Sequence, residues 1–118
     1  MPERKIIFYS NYFFKFYEKQ DKKVRNKIDY VIDLIKFIDR VPIRFIKFLE
    51  GTDSLYEIKV STTFKQIRIF CFFDEKELVV LTNCFVKKTQ KTPKKELYLA
   101  IKLKKEYFKN KRVSTWKT

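Results

Sequence analysis

The chain has 118 residues, a length that fits one domain with a modest hydrophobic core. Aromatic residues make up 18% of the chain and glycine occurs once, which excludes a typical disordered protein. Lysine and arginine outnumber aspartate and glutamate by 28 to 14, and the net charge of +14 favours a polyanionic partner, with an acidic protein or an anionic membrane surface as alternatives.

Several classes of site are excluded by what the sequence lacks. There is no histidine, so imidazole bases and Ser-His or Cys-His pairs are absent, and one glycine cannot build a glycine-rich phosphate loop. Cys71 and Cys84 lie in apolar stretches without metal-ligand spacing, and we interpret them as reduced core thiols. We expect no metal and no cofactor. The sequence shows neither a membrane-spanning stretch nor a secretory signal, so we expect a cytoplasmic protein.

The first half of the chain predicts one strand and two helical segments. Lys5–Tyr9 is short and apolar and predicts a buried strand, and residues 11–20 predict a short aromatic helix or turn. Asp21 is the predicted N-cap of a longer helix that ends before Pro42. The buried stripe of that helix follows the 3.6-residue period: Val24, Ile28, Val31, Ile35 and Ile38.

A turn at Gly51–Ser54 precedes three predicted strands. The first, LYEIKV, alternates between apolar and charged residues, and the second is QIRIFCFF. The third, ELVVLTNCFV, follows the short polar connection Asp74–Lys76. The last two strands are therefore predicted to pair as an antiparallel hairpin.

The last predicted element is a helix with Thr92 as N-cap and Pro93 as first helical residue. It should run to about Lys109, followed by a frayed basic tail at residues 110–118 in which Lys111 is solvated. The element order predicts one α+β domain over residues 1–118, with two layers and a mainly antiparallel sheet.

Positive charge is concentrated in the C-terminal third, where Lys87 to Arg112 contains eleven basic and two acidic residues. Glu57, Lys59 and Arg68 fall on the face of the predicted sheet opposite the alternating apolar one, which we expect to be open. Cations on this face, with aromatic residues interleaved, suit RNA, because its phosphates take the charge and its unpaired bases stack. The aromatic residues in question are Phe70, Phe72, Tyr98 and Tyr107.

Three alternative interpretations of these residues do not involve RNA. Arg68 is equally well explained as the structural partner of Glu57 across the hairpin. The lysines between Lys102 and Lys111 are better explained as a solvated helix face. A membrane-surface role is the weakest alternative, because lysines interrupt the apolar face of the last helix.

Four stretches of the chain resemble a known family: FIKFLEGTDSLYEIKV, RIFCFF, VVLTNCFVKKTQKTPKKE and LKKEYF. Together they resemble the phage-derived HigB-like branch of RelE-type toxins, over about Phe45 to Phe108. The resemblance implies a compact α+β toxin that enters the ribosome and cuts messenger RNA. It also implies a cognate antitoxin with a helix-turn-helix domain that holds the toxin inactive.

The resemblance also implies roles for individual residues. Arg68 and Lys88 are assigned to phosphate stabilisation, and Lys59 to base or charge stabilisation. Further RNA contacts are assigned to Lys87, Gln90, Lys91, Lys94 and Tyr107. The chain departs from its relatives at Glu57, where some carry a second lysine. No tyrosine aligns with the C-terminal tyrosine proposed as a base in RelE, and Tyr98 and Tyr107 are unranked substitutes.

The predicted function is thus the toxin of a type II toxin-antitoxin system, a metal-independent endoribonuclease acting on ribosome-bound messenger RNA. Clustered cations suit this chemistry because they stabilise the crowded phosphorane. The alternative is a non-catalytic RNA- or protein-binding module of the same fold, including a gyrase-directed toxin, because a fold does not fix a function.

Overall fold

The computed structural model of the protein describes residues 3–117. In chain order the elements are β1 Lys5–Phe8, α1 Tyr12–Glu18, α2 Lys22–Phe37, β2 Ile46–Leu49, β3 Leu55–Ser61, β4 Gln66–Asp74, β5 Leu78–Val86 and α3 Lys94–Lys117. The predicted α+β class is confirmed, with a strand and helices first, then a mainly antiparallel sheet and a C-terminal helix.

The five strands form one sheet in the order β1-β5-β4-β3-β2. β1 pairs with β5 in parallel and the other pairs are antiparallel, so the predicted β4–β5 hairpin is confirmed. β2 was not predicted from the sequence. β1 is an edge strand whose Ile7 is 36% exposed, so the prediction of a buried first strand is wrong.

α1 and α2 cover one face of the sheet, where α2 packs against Ile58, Val60, Ile67 and Ile69. The Asp21 carboxylate accepts a hydrogen bond from the Val24 N–H at 2.9 Å, which confirms the predicted N-cap. The predicted stripe is buried at its first four positions. Ile38 is 42% exposed because α2 ends at Phe37, before the chain turns towards Pro42.

α3 packs on the opposite face, which we expected to be open. Its buried Ala100 belongs to a second core with five sheet residues: Leu55, Phe70, Phe72, Val80 and Phe85. The helices therefore lie on both sides of the sheet rather than in one layer. α3 packs mainly on β5 and β4, so it covers only part of this face.

The ends of α3 differ from the prediction. The Pro93 carbonyl accepts the first helical hydrogen bond, from the Leu97 N–H at 3.1 Å, so the cap lies one residue later than Thr92. The helix continues to Lys117, so residues 110–117 are helical rather than a frayed tail, and Thr118 lies outside the described residues. Within residues 3–117, no helix is both long enough and apolar enough to cross a membrane.

Candidate nucleic-acid interface

The cross-strand register brings the predicted basic residues together beyond the part of the second face that α3 covers. Lys59 of β3 and Arg68 of β4 are directly opposite each other, and Arg68 is opposite Phe85 of β5. The Lys87 N–H donates to the Gln66 carbonyl at 2.7 Å, which continues the β5 side of the ladder into the lysine-rich segment. Three adjacent strands thus deliver cations to one end of the sheet.

An open cleft of about 530 Å³ lies at this end. Its lining residues are Gln66, Arg68, Lys87, Lys88, Thr89 and Gln90. Four sequence-predicted site residues are therefore neighbours in space. Lys59 adjoins Arg68 through the strand register without lining this cleft. We call Lys59, Arg68, Lys87 and Lys88 the basic end.

The predicted alternative partner of Arg68 is also in place. Arg68 Nε lies 3.5 Å from Glu57 Oε1, and the two side chains are only 12% and 4% exposed. Arg68 Nη1 donates to the Ile67 carbonyl at 3.1 Å. Among the described residues, however, neither Glu57 Oε2 nor Arg68 Nε has a hydrogen-bond partner. The ion pair is therefore incomplete, and buried polar atoms left in this state are uncommon in folded proteins.

A β-bulge in β5 shifts the register of the residues that lead into the lysine-rich segment. Between the pairs Ile69–Cys84 and Cys71–Leu81, two residues of β5, Thr82 and Asn83, oppose the single residue Phe70. Asn83 Nδ2 donates at 3.0 Å to both the carbonyl and Oε1 of Glu96 in the first turns of α3. The start of α3 is thereby tied to the sheet beside the basic end.

Three predicted RNA contacts do not line the cleft. Lys91 and Lys94 are exposed on the connection to α3 and on its first turn. Tyr107 lies at the opposite end of β4, where its hydroxyl donates to Asp74 Oδ2 at 2.7 Å. Asp74 and Arg68 are six positions apart along an extended strand, a distance of roughly 20 Å. The structure therefore does not bring Tyr107 to the basic end.

At the other end of β4, three side chains form a hydrogen-bonded network around Asp74. Lys111 Nζ lies 2.8 Å from Asp74 Oδ2, and the Lys111 side chain is 44% exposed, so it is solvated as predicted and is also paired with Asp74. Burial opposes the charge of Asp74, but hydrogen bonds from Lys111 and Tyr107 hold the pKa of its carboxyl below the ordinary value. Burial and the bond to Asp74 raise the pKa of Tyr107 to about 12. We call these three residues the anchor, because they fasten α3 to the sheet.

Sequence reasoning missed Lys47. It lies in β2, directly opposite Glu57, and lines a second open cleft of about 570 Å³ together with Thr92 and Leu97 at the start of α3. Lys47 therefore adds one cation towards the sheet edge, in a cleft that Glu50 also lines. The signal for β2 is the alternation of Ile46 and Phe48 with Lys47, but four residues are too few to distinguish a strand from a loop.

The cysteines and acids of the described residues form no cluster that could hold a metal ion. Cys71 and Cys84 are free thiols, and burial raises the pKa of each, which keeps them protonated and unreactive near neutral pH. In residues 3–117, no group of three or more cysteine, aspartate or glutamate side chains is arranged to hold a metal ion.

The fold and the basic end define a class: small α+β proteins that present cations at one end of a partly covered sheet. The sequence matches the family described as phage derived protein Gp49-like (DUF891) over residues 15–105, most of the chain. The chain belongs to this family, which is toxin-like and related to RelE- and HigB-type toxins, and which implies an antitoxin partner. No curated protein matches the sequence.

Proposed function

We propose that the protein is the toxin of a type II toxin-antitoxin system, of the HigB-like branch, and that it cleaves messenger RNA on the ribosome. Its antitoxin carries a helix-turn-helix domain. Membership of a toxin-like family supports the first part. One observation carries the second: Lys59 and Arg68 are directly opposite each other on adjacent strands, and Arg68 shares an open cleft with Lys87 and Lys88.

The proposed reaction uses the 2′-hydroxyl of the RNA itself. The 2′-oxygen attacks phosphorus as it loses its proton, the bond from phosphorus to the 5′-oxygen breaks, and the 5′-oxygen takes up a proton. Arg68 and Lys88 stabilise the doubly charged phosphorane, and Lys59 serves as base or adds positive charge. Paired strands fix Lys59 and Arg68, and fixed charges stabilise a transition state without reorganisation cost. The ribosome holds the messenger RNA in the geometry for in-line attack, so naked RNA should be cut slowly.

The Glu57–Arg68 ion pair favours a second candidate, a non-catalytic RNA- or protein-binding module. A phosphate that enters the cleft competes with the Glu57 carboxylate for the Arg68 guanidinium. The existing contact is long, with 3.5 Å between Arg68 Nε and Glu57 Oε1. If Arg68 stays with Glu57, the remaining lysines bind a polyanion without stabilising a phosphorane. The two candidates therefore differ in whether RNA is cut at all, and the nuclease candidate requires that the cutting depend on Arg68.

Primer extension on messenger RNA from translating extracts, with and without chelator, tests the proposal. Arg68→Ala should lower the cleavage rate about a hundredfold or more, the scale of losing one preorganised donor. Arg68→Lys should not fully restore it, because lysine lacks the planar fork that grips two phosphate oxygens. Lys109→Ala, on the exposed face of α3, is the control.

A folding defect must be separated from a catalytic one, because Arg68→Ala leaves the buried Glu57 carboxylate unpaired. The double variant Glu57→Gln/Arg68→Ala removes that charge and should be folded and equally slow. Cleavage by the double variant at the parent rate would refute the nuclease site. So would a need for Mg²⁺ beyond what the ribosome requires.

A further inference from the structure

Phe64 is 94% exposed, the highest value among the large hydrophobic side chains whose exposure the structure describes. It lies on the turn 62–65 that joins β3 to β4, the two strands that carry Lys59 and Arg68. Single exposed apolar side chains are ordinary on protein surfaces. Two properties of its surroundings, the rigidity of the turn and the charges beside it, point to a ligand.

The turn that carries Phe64 is held at both ends. The Thr62 N–H donates to the Lys65 carbonyl at 2.9 Å, and the Lys65 N–H donates to Thr62 Oγ1 at 3.0 Å. Lys65 Nζ donates to Oε1 of Gln20 at 2.8 Å, which ties the turn to the segment before α2. The backbone that presents the Phe64 ring is therefore ordered before any ligand arrives, which lowers the entropy cost of binding.

Basic clefts flank the turn. Phe64 lines an open cleft of about 590 Å³ with Lys23 and Lys27 of α2. On its other side, Gln66 begins β4 and lines the cleft that holds Arg68. Phe64 and Arg68 are four positions apart in the chain, so their Cα atoms are at most about 14 Å apart. An exposed ring thus lies within a few nucleotides of the proposed scissile phosphate, between cations that can hold the RNA backbone.

We propose that Phe64 is a stacking platform for one nucleobase of single-stranded RNA, with Lys23 and Lys27 holding the adjacent phosphates. This inference rests on the proposed function, because the basic end supplies the RNA. Stacking tolerates any base, since every base has a π-face, so Phe64 contributes affinity and register rather than sequence preference. The base comes either from messenger RNA beside the cut or from ribosomal RNA beside the bound toxin.

The test uses an eight-nucleotide single-stranded RNA with 2-aminopurine at one position, whose fluorescence reports stacking, and anisotropy for the dissociation constant. Phe64→Ala should raise the dissociation constant about fivefold or more. Phe64→Leu should behave like alanine, and Phe64→Trp like the parent. Phe37→Ala is the matched control: Phe37 is 55% exposed and lies ten positions after Lys27 along α2, roughly 15 Å away.

A second arm repeats the binding with small ribosomal subunits free of messenger RNA. A loss confined to the oligonucleotide assigns the stacked base to messenger RNA, and a loss confined to the subunits assigns it to ribosomal RNA. The platform is refuted if Phe64→Ala changes neither affinity by more than twofold, if Phe64→Leu binds like the parent, or if the parent binds neither probe. These outcomes are independent of cleavage, so a binding-competent parent that cuts no RNA would refute the nuclease while leaving the platform intact.

Discussion

Arg68 near the start of β4 and Asp74 at its end each pair with an opposite charge on the face that α3 partly covers. The carboxylates at the two ends are equally buried, since the Asp74 and Glu57 side chains are 5% and 4% exposed. Asp74 Oδ2 accepts two hydrogen bonds, from Tyr107 at 2.7 Å and Lys111 at 2.8 Å. Glu57 has only the long contact of 3.5 Å to Arg68, and its second oxygen has no partner among the described residues.

The difference between the two ends separates structure from function. Burying a carboxylate is costly unless its hydrogen bonds are supplied, and the anchor supplies them for Asp74. The same cost at Glu57 is only partly offset, by the long contact to Arg68, yet Glu57 is buried beside the cation that the proposed chemistry needs. Local rules are broken most often at functional sites. We therefore interpret the anchor as the element that fixes α3, and the Glu57–Arg68 pair as one that exchanges partners when phosphate arrives.

The largest effect that tests this comparison is on stability at the anchor. Asp74→Ala leaves Tyr107 and Lys111 without their shared acceptor and should lower the free energy of unfolding by about 1–3 kcal/mol. Urea denaturation measures this loss. The cleavage rate of the folded fraction should stay within twofold, because the anchor lies roughly 20 Å from Arg68.

Glu77 is an exposed acid in the loop that joins β4 to β5. Glu77→Ala is the control and should change the free energy of unfolding little. The interpretation of the anchor is wrong if Asp74→Ala unfolds at the parent's urea midpoint. It is equally wrong if the folded variant loses cleavage as Arg68→Ala does, because the two ends would then act as one site.

Protonation should remove part of the same stabilisation. The folded-state pKa of Asp74 lies below the ordinary value of 3.8, so the ionised carboxylate favours the folded state. Its contribution is complete above about pH 5 and is lost as the pH falls below 4 and through the folded pKa. The gap in unfolding free energy between the parent and Asp74→Asn should therefore be constant from pH 7 to 5 and shrink towards pH 2.5. A gap as large at pH 2.5 as at pH 7 would contradict this assignment.

Elements with a local repeat could be predicted from the sequence, and elements that depend on distant partners could not. The stripe of α2 and the β4–β5 hairpin follow from 3.6- and 2-residue periods. The position of Tyr107 depends on Asp74, 33 residues away, and no local pattern relates them. β2 is a four-residue edge strand whose identity comes from its pairing with β3.

The candidate site was predictable to the same extent. Strand parity alone places Lys59 and Arg68 on one face, and the register then makes them direct neighbours. The two-residue alternation of faces does not hold through β5. Val80 and Phe85 are five positions apart, which would put them on opposite faces of a regular strand, yet both pack into the same core. The bulge at Thr82 and Asn83 restores the second face, and it carries no glycine to mark it. The sequence pattern therefore could not predict the path of the lysine-rich segment.

The smallest expected effect is the most direct test of partner exchange at the basic end. Glu57→Gln keeps the volume of the side chain and removes a negative charge that competes with phosphate for Arg68. At a separation of about 7 Å in a water-like dielectric, one charge is worth about 0.6 kcal/mol, so the affinity for an eight-nucleotide RNA should rise about twofold or more. The slope of affinity against salt should steepen by about 0.7 if Arg68 gains one phosphate contact.

The urea midpoint of Glu57→Gln should move less than that of Asp74→Asn, because Glu57 Oε2 has no hydrogen bond to lose among the described residues. Weaker RNA binding by a folded Glu57→Gln would mean that Glu57 holds Arg68 in its binding position, and the contrast between a structural and an exchangeable pair would fail.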